Sequence, residues 1–229
     1  MIVSGIESDI LRYIVENNLQ VGQRLPPLTE LSGILNISIS KLREQLEVVR
    51  ALDMVGVKPG SGTQINEFNF AATLRLGLLY SLARSEQNFE AYKSLRNATA
   101  AAFWQEAVAL LTPDDLAEAR RLVVAARTKL DGRAIQIPHR EHRAFHLALF
   151  KRLDNPFVVG IEEAYWSAYE AIELHHYADY QYLTTVWDYH ERMVDYIEAQ
   201  DFARSSAEFV AHTQLLKVNH HTPNGTINS

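Results

Sequence analysis

Nine histidines stand in the 229-residue chain, and four of them occupy places where imidazoles can be gathered. His142 and His146 are four residues apart in a stretch that reads as helix, so both rings fall on one face. His190 and His212 lie in the last two helical segments. Imidazoles from three helices that point into one bundle can hold zinc, nickel or a similar divalent ion. The spacing His142-Arg143-Ala144-Phe145-His146 is also that of zinc peptidases, but those need Glu directly after the first His as general base. Arg143 stands there and cannot accept a proton. No Ser-His-Asp order, P-loop or Gly-x-Gly-x-x-Gly strand–turn–helix is present. These residues point to binding rather than catalysis, with a metal-dependent hydrolase as the less favoured alternative. Of the other histidines, His139 shares the face of His142 and His146, His175-His176 comes late in a helix, and His220-His221 falls in the tail.

The elements that must position these rings are helices. Periodicity and capping predict seven in the second part of the chain, near 70–85, 89–111, 113–130, 137–152, 156–179, 183–199 and 202–218. Thr112-Pro113-Asp114-Asp115 is a helix start, with a Thr cap, Pro at the first turn and acids where the helix dipole favours them. Asn155-Pro156 repeats the device. Seven helices on short loops make an all-α bundle. The aromatic set Tyr165, Trp166 and Tyr169 reads as core rather than as a ligand cage.

The first part is patterned differently. Val3, Ile6, Ile10 and Ile14 predict one amphipathic helix, which the run Val21–Pro27 breaks. A short helix follows with Leu28, Leu31, Ile34 and Leu35 inward, then a tight turn at Asn36-Ile37-Ser38. Ser38 caps a third helix that turns Leu42, Leu46 and Val49 inward and Ser40, Lys41, Arg43, Glu44 and Glu47 outward. Two strand-like runs, Met54–Val57 and Thr63–Ile65, flank the turn Lys58-Pro59-Gly60-Ser61-Gly62. Helix, helix, turn, helix, hairpin is the order of a winged helix-turn-helix. The expected organisation is a DNA-binding domain over 1–66, a linker over 67–71, a helical domain over 72–218 and a flexible tail over 219–229.

Composition sets bounds on these readings. Apolar residues are 47% and charged residues 22%, values of a globular chain with a core. The absence of cysteine removes disulfide frameworks, thiolate metal sites and cysteine nucleophiles. No apolar run reaches membrane-spanning length, and Glu7, Asp9 and Glu16 argue against a secretory signal, so the cytoplasm is expected. The chain carries a net charge of −6, and residues 1–66 carry six basic and seven acidic groups. That is not the basic footprint of most DNA-binding modules.

The order Gly22-Gln23-Arg24-Leu25-Pro26-Pro27, Glu30-Leu31-Ser32, Leu35-Asn36-Ile37-Ser38, Leu42-Arg43-Glu44-Gln45-Leu46 and Gly60-Ser61-Gly62-Thr63 resembles the GntR family of bacterial transcription regulators. Phe145-His146-x-x-Leu149, Asn155-Pro156, and His190 followed 22 residues later by His212 resemble its FadR-type branch, whose C-terminal effector domain is all-helical. The resemblance covers nearly the whole chain. It implies a homodimeric regulator, more often a repressor of metabolic genes, on a palindromic double-stranded DNA operator. It also implies a small carboxylate effector, bound with or without a divalent metal.

A groove-facing helix needs small polar and basic side chains near its start. Ser38, Ser40, Lys41 and Arg43 supply them beside Ile39, and the wing offers Lys58, Gly60, Ser61 and Gly62. Among these, Arg43 matches a family arginine that contacts DNA. Carried over residue by residue, the resemblance places an effector contact at Arg96 and metal ligands (Zn or Ni) at His142, His146, His190 and His212. Four positions depart from the family pattern, one of them Thr99, which stands where Glu is frequent three residues after Arg96. Thr29 and Ile39 stand where arginines are usual, which implies a changed operator; Ile39 suits a thymine methyl. His142 stands where Asp is usual, which implies either an all-nitrogen site or a site that has lost its metal. The departures in the reading head keep a sensor with weakened DNA binding as the alternative.

Overall fold

The computed structural model describes residues 2–58, 60, 62–132, 135–172 and 180–215. The chain divides into two compact units, Met1–Tyr80 and Ser81–Ser229.

In the first unit the expected opening helix is split. Val3–Gly5 forms a single 3-10 turn, the chain extends at Ile6, and α1 (Asp9–Glu16) starts afresh. The physical reason is Ser8, whose hydroxyl accepts from the Leu11 amide at 3.3 Å and so caps a new helix. Pro27 precedes α2 (Leu28–Leu35). Asn36 then takes φ 53°, ψ 44°, the left-handed conformation that asparagine tolerates better than most residues. Ser38 caps α3 (Ile39–Ala51) by accepting from the Lys41 amide at 3.2 Å. Leu42 and Val49 on α3 are fully buried with Ile10, Leu31, Leu25 and Val55. Gln45 locks α3 to α1: its Oε1 accepts from the Ile10 amide at 3.2 Å and its Nε2 donates to Asp9 Oδ2 at 2.7 Å.

The hairpin follows as β1 (Val55–Lys58) and β2 (Gly62–Ile65), antiparallel, with Val55 opposite Ile65 and Lys58 opposite Gly62. Gly60 and Gly62 have φ of 72° and 74°, which only glycine adopts without strain. The segment read as a simple breaker does more. Gly22 and Leu25 donate their amides to the carbonyls of Ile65 and Thr63 at 2.8 and 2.9 Å, and the Ile65 amide returns to Gln23, so Gly22–Leu25 lines the outer edge of β2.

The unit boundary falls within α4 (Phe70–Arg84). The second unit holds α5 (Asn88–Ala109), α6 (Pro113–Leu130), α7 (His139–Phe150), α8 (Pro156–Ala171), α9 (Tyr180–Glu198) and α10 (Phe202–Thr213). The chain is mainly helical, with ten α-helices and one two-stranded sheet among the described residues. The expected helices to 179 and to 218 end in part outside the described residues.

Thr112 and Asp115 form a reciprocal capping box at the start of α6. Asp115 also accepts from Arg152 Nε and pairs with Lys151 Nζ, each at 2.7 Å, tying the start of α6 to the end of α7. Asn155 caps α8 by accepting from the Phe157 and Val158 amides. The bundle core centres on Trp104, stacked on Phe209 with centroids 4.3 Å apart and edge-on to Phe150. The indole N–H of Trp104 donates to Ser205 Oγ at 3.1 Å, so this buried ring leaves no polar atom unpaired. Such packing holds α5, α7 and α10 in register around the histidines.

Candidate functional site

The four histidines converge. α7 supplies His142 and His146 one turn apart, α9 supplies His190 and α10 supplies His212, and one ligating atom from each lies within 4.8 Å of the others. His146, His190 and His212 are buried and His142 is half-buried. His146 Nε2 and His190 Nε2 are 3.2 Å apart. Phe145 and Trp187 close one side of the group and Trp166 another.

Burial pushes all four imidazoles below their ordinary value, His212 to about 3, and the Arg96 cation adds to the effect. They are therefore neutral, the form that binds metal. His142 Nε2, His190 Nδ1 and His212 Nδ1 are buried with no hydrogen-bond partner. Buried polar atoms are ordinarily paired, so three orphaned imidazole nitrogens in one cluster are what a metal centre would leave. Zinc–imidazole bonds run about 2.0–2.1 Å, which sets tetrahedral ligands roughly 3.3–3.4 Å apart, so a set that lies within 4.8 Å closes on one ion by movements of up to about an ångström in its side chains. The residues present fit a divalent metal.

Arg96, on α5, reaches this cluster but is already engaged. Its Nε and Nη2 donate to the same oxygen, Glu162 Oε2, at 2.9 and 2.7 Å. Nη1 donates to Asn97 Oδ1 at 3.2 Å, and Nη2 also faces His146 Nδ1 at 3.4 Å. The guanidinium lies 4.6 Å from the centroid of Tyr165 and 5.5 Å from that of Phe209. Glu162 is completely buried, and burial raises its carboxyl against the opposing pull of Arg96. Its Oε1 has no partner.

The sequence reading missed Glu162. A signal was there: one acid set among Val158, Tyr165, Trp166 and Tyr169 on the buried face of α8. An acid on an apolar stripe requires a buried cation. The three aromatics are buried as expected, Tyr165 against Arg96 and Trp166 against the histidines. His139 stacks on Tyr169 at 5.5 Å and reaches Glu170 at 3.3 Å.

In the first unit Ser38, Ser40, Lys41 and Arg43 are exposed at and after the N-terminus of α3, and Ile39 is half-buried. Arg43 carries no ion pair among the described residues, whereas Lys41 Nζ is 3.1 Å from Asp9 Oδ2. In the wing, Gly60 and Gly62 are exposed, the Lys58 backbone ends β1, and the Lys58 side chain and Ser61 lie outside what the structure describes. Thr29 is exposed on α2.

A helix-turn-helix with a two-stranded wing, followed by an all-helical bundle with a buried polar centre, is the architecture of a DNA-binding module joined to a helical domain. Residues 2–65 match the family of bacterial regulatory proteins, gntR family, and residues 89–215 match the FCD domain. The chain belongs to the GntR family, with an FCD domain at its C-terminal side, and is a transcription regulator with an effector-binding domain rather than an enzyme. No curated protein sequence matches it. Among solved structures it is similar to Streptococcus agalactiae GntR, with a TM-score of 0.63 at 19% identity over 90% of this chain and 94% of that one. It is also similar to E. coli McbR/YncC, with a TM-score of 0.50 at 20% identity over 93% and 94%. At these identities the likeness is one of fold.

Proposed function

We propose that this regulator binds a palindromic operator as a cytoplasmic homodimer and represses metabolic genes until a small carboxylate enters the histidine chamber. Ser38, Ser40, Lys41 and Arg43 would face the major groove, with Ile39 on a thymine methyl and the wing, Lys58 to Gly62, against the backbone. His142, His146, His190 and His212 would hold a divalent ion, zinc or nickel. The ion would supply a positive charge and a Lewis-acidic position for an anionic oxygen. Four neutral imidazoles leave that charge uncompensated, which favours an anionic effector. Arg96 would act from beside it. The effector would act by favouring a dimer arrangement with a different half-site spacing.

The observation that carries this reading is the gathering of four ligating atoms within 4.8 Å, with three buried imidazole nitrogens unpaired. The test is elemental analysis of untagged protein before and after chelation, for the native chain and for His146→Ala. About one ion per native chain and a marked loss in the variant support the reading; unchanged metal content in His146→Ala removes His146 from the ligand set.

The pairing of Lys41 with Asp9 favours a second reading, a sensor with weakened DNA binding. Selection from genomic fragments separates the two: an enriched palindrome supports the regulator, and no enrichment supports the sensor.

A further inference from the structure

Glu162 and Trp166 stand one turn apart on α8, and each presents a buried polar atom without a partner, Oε1 of the acid and Nε1 of the indole. The Trp166 ring lies 4.8 Å from that of His142 and 5.5 Å from that of His146. Glu162 Oε2 meets Arg96 Nη2, which in turn faces His146. Beside the histidine cluster, α8 therefore carries a spare acceptor and a spare donor one turn apart.

The manner in which Glu162 holds Arg96 explains the spare acceptor. A carboxylate and a guanidinium ordinarily pair through both oxygens. Here both arginine donors converge on Oε2, and Asn97 takes Nη1. Arg96 is thus neutralised from within the fold, with its charge already matched before any ligand arrives. A ligand's carboxylate gains little from a cation that a buried acid already balances. What remains unsatisfied is Oε1, which accepts only, and the indole N–H, which donates only.

We propose that Glu162 is a specificity-determining residue of the chamber, selecting an anion that bears a hydrogen-bond donor, a hydroxyl or ammonium beside its carboxylate, over the same anion without one. The donor meets Glu162 Oε1 and a ligand oxygen meets Trp166 Nε1. This rests on the chamber being the effector site.

Two probes isolate the donor. Glycolate and methoxyacetate both carry a carboxylate and a neighbouring oxygen that can approach a metal, but only glycolate donates. Binding to the zinc-loaded full chain is read by calorimetry. A hydrogen bond to a charged acceptor predicts that the native protein prefers glycolate by about 10- to 100-fold. In Glu162→Gln the amide oxygen serves Arg96 and the amide nitrogen takes the place of Oε1. The preference then falls below about twofold or reverses. Should Glu162→Gln not fold, Arg96→Met combined with Glu162→Met removes both charges together, and the same loss of preference is expected. A preference that survives in the variant overturns the proposal, as does a native protein that binds the two probes alike. A native protein that binds neither, while holding zinc, overturns the chamber as an effector site and this inference with it.

Discussion

Arg96 Nη2 lies 3.4 Å from His146 Nδ1, and because a guanidinium only donates, His146 accepts at that nitrogen. The neutral ring therefore carries its proton on Nε2, the nitrogen 3.2 Å from His190 Nε2. An ion can take Nε2 only after that proton has left, and a proton returned to Nδ1 would face the arginine. Arg96 thus opposes metal uptake at His146 while it stays paired there. Arg96→Met combined with Glu162→Met, which removes the buried pair without stranding the acid, is expected to tighten zinc binding by about tenfold, opposite in sign to the usual loss when a partner of a metal-bound histidine is removed. Competition with a chromogenic chelator measures it; weaker binding in the variant would show that Arg96 supports the site.

The metal-free protein should lose stability in mild acid. Burial lowers the folded-state value of all four clustered histidines, while the unfolded chain titrates near 6.5. Below that value the unfolded state binds more protons, so stability is full above about pH 7 and falls as the pH drops. Each neutral histidine costs up to about 1.4 kcal/mol per pH unit, and four together predict a loss on the order of 3–5 kcal/mol between pH 7.5 and 5.5. Urea unfolding of the chelated protein at the two values checks this, and an unchanged midpoint would mean that the rings are not held neutral.

Lys41 Nζ lies 3.1 Å from Asp9 Oδ2, a pairing that competes with any phosphate it would meet. The Gln45 amide and Lys41 hold the Asp9 carboxyl below its ordinary value, so the acid stays ionised at neutral pH. Asp9→Asn should free the lysine, raise affinity for duplex DNA several-fold at low salt and steepen the salt dependence by about one phosphate contact. Fluorescence anisotropy across a salt series reads both quantities. An unaltered slope would place Lys41 away from the backbone.

Arg43 is exposed on α3 and carries no ion pair among the described residues, so Arg43→Ala should lower operator affinity by about 10- to 100-fold. Metal content and carboxylate binding should be unaffected. Loss of both functions together would mean that the two units do not act separately.

The fold was largely legible because its signals are local. Thr112-Pro113 and Asn155-Pro156 announce helix starts through cap chemistry that does not depend on the rest of the chain, and the caps form as read. Val3 and Ile6 misled because periodicity continues through Ser8, while the hydroxyl restarts the helix there. The edge pairing of Gly22–Leu25 was hidden for a different reason, since its partners Thr63 and Ile65 lie some forty residues onward. The gathering of the histidines could be anticipated from helix faces and family pattern together. Glu162 could not be read as readily, because Glu162-Glu163 resembles a solvated pair until Arg96 is seen to come from 66 residues away. Nor could composition show that Arg96 would arrive already neutralised.

The chamber also has an order of assembly. Its first two imidazoles come from α7, its third from α9 and its last from α10, so no part of the chain before His212 contains the whole set. The reading head, by contrast, is complete once the first 65 residues have emerged. A product of interrupted translation or of proteolysis ahead of His212 would keep the helix-turn-helix and lose one of the four imidazoles. Such a fragment would have lost the means to answer to whatever the histidine cluster binds.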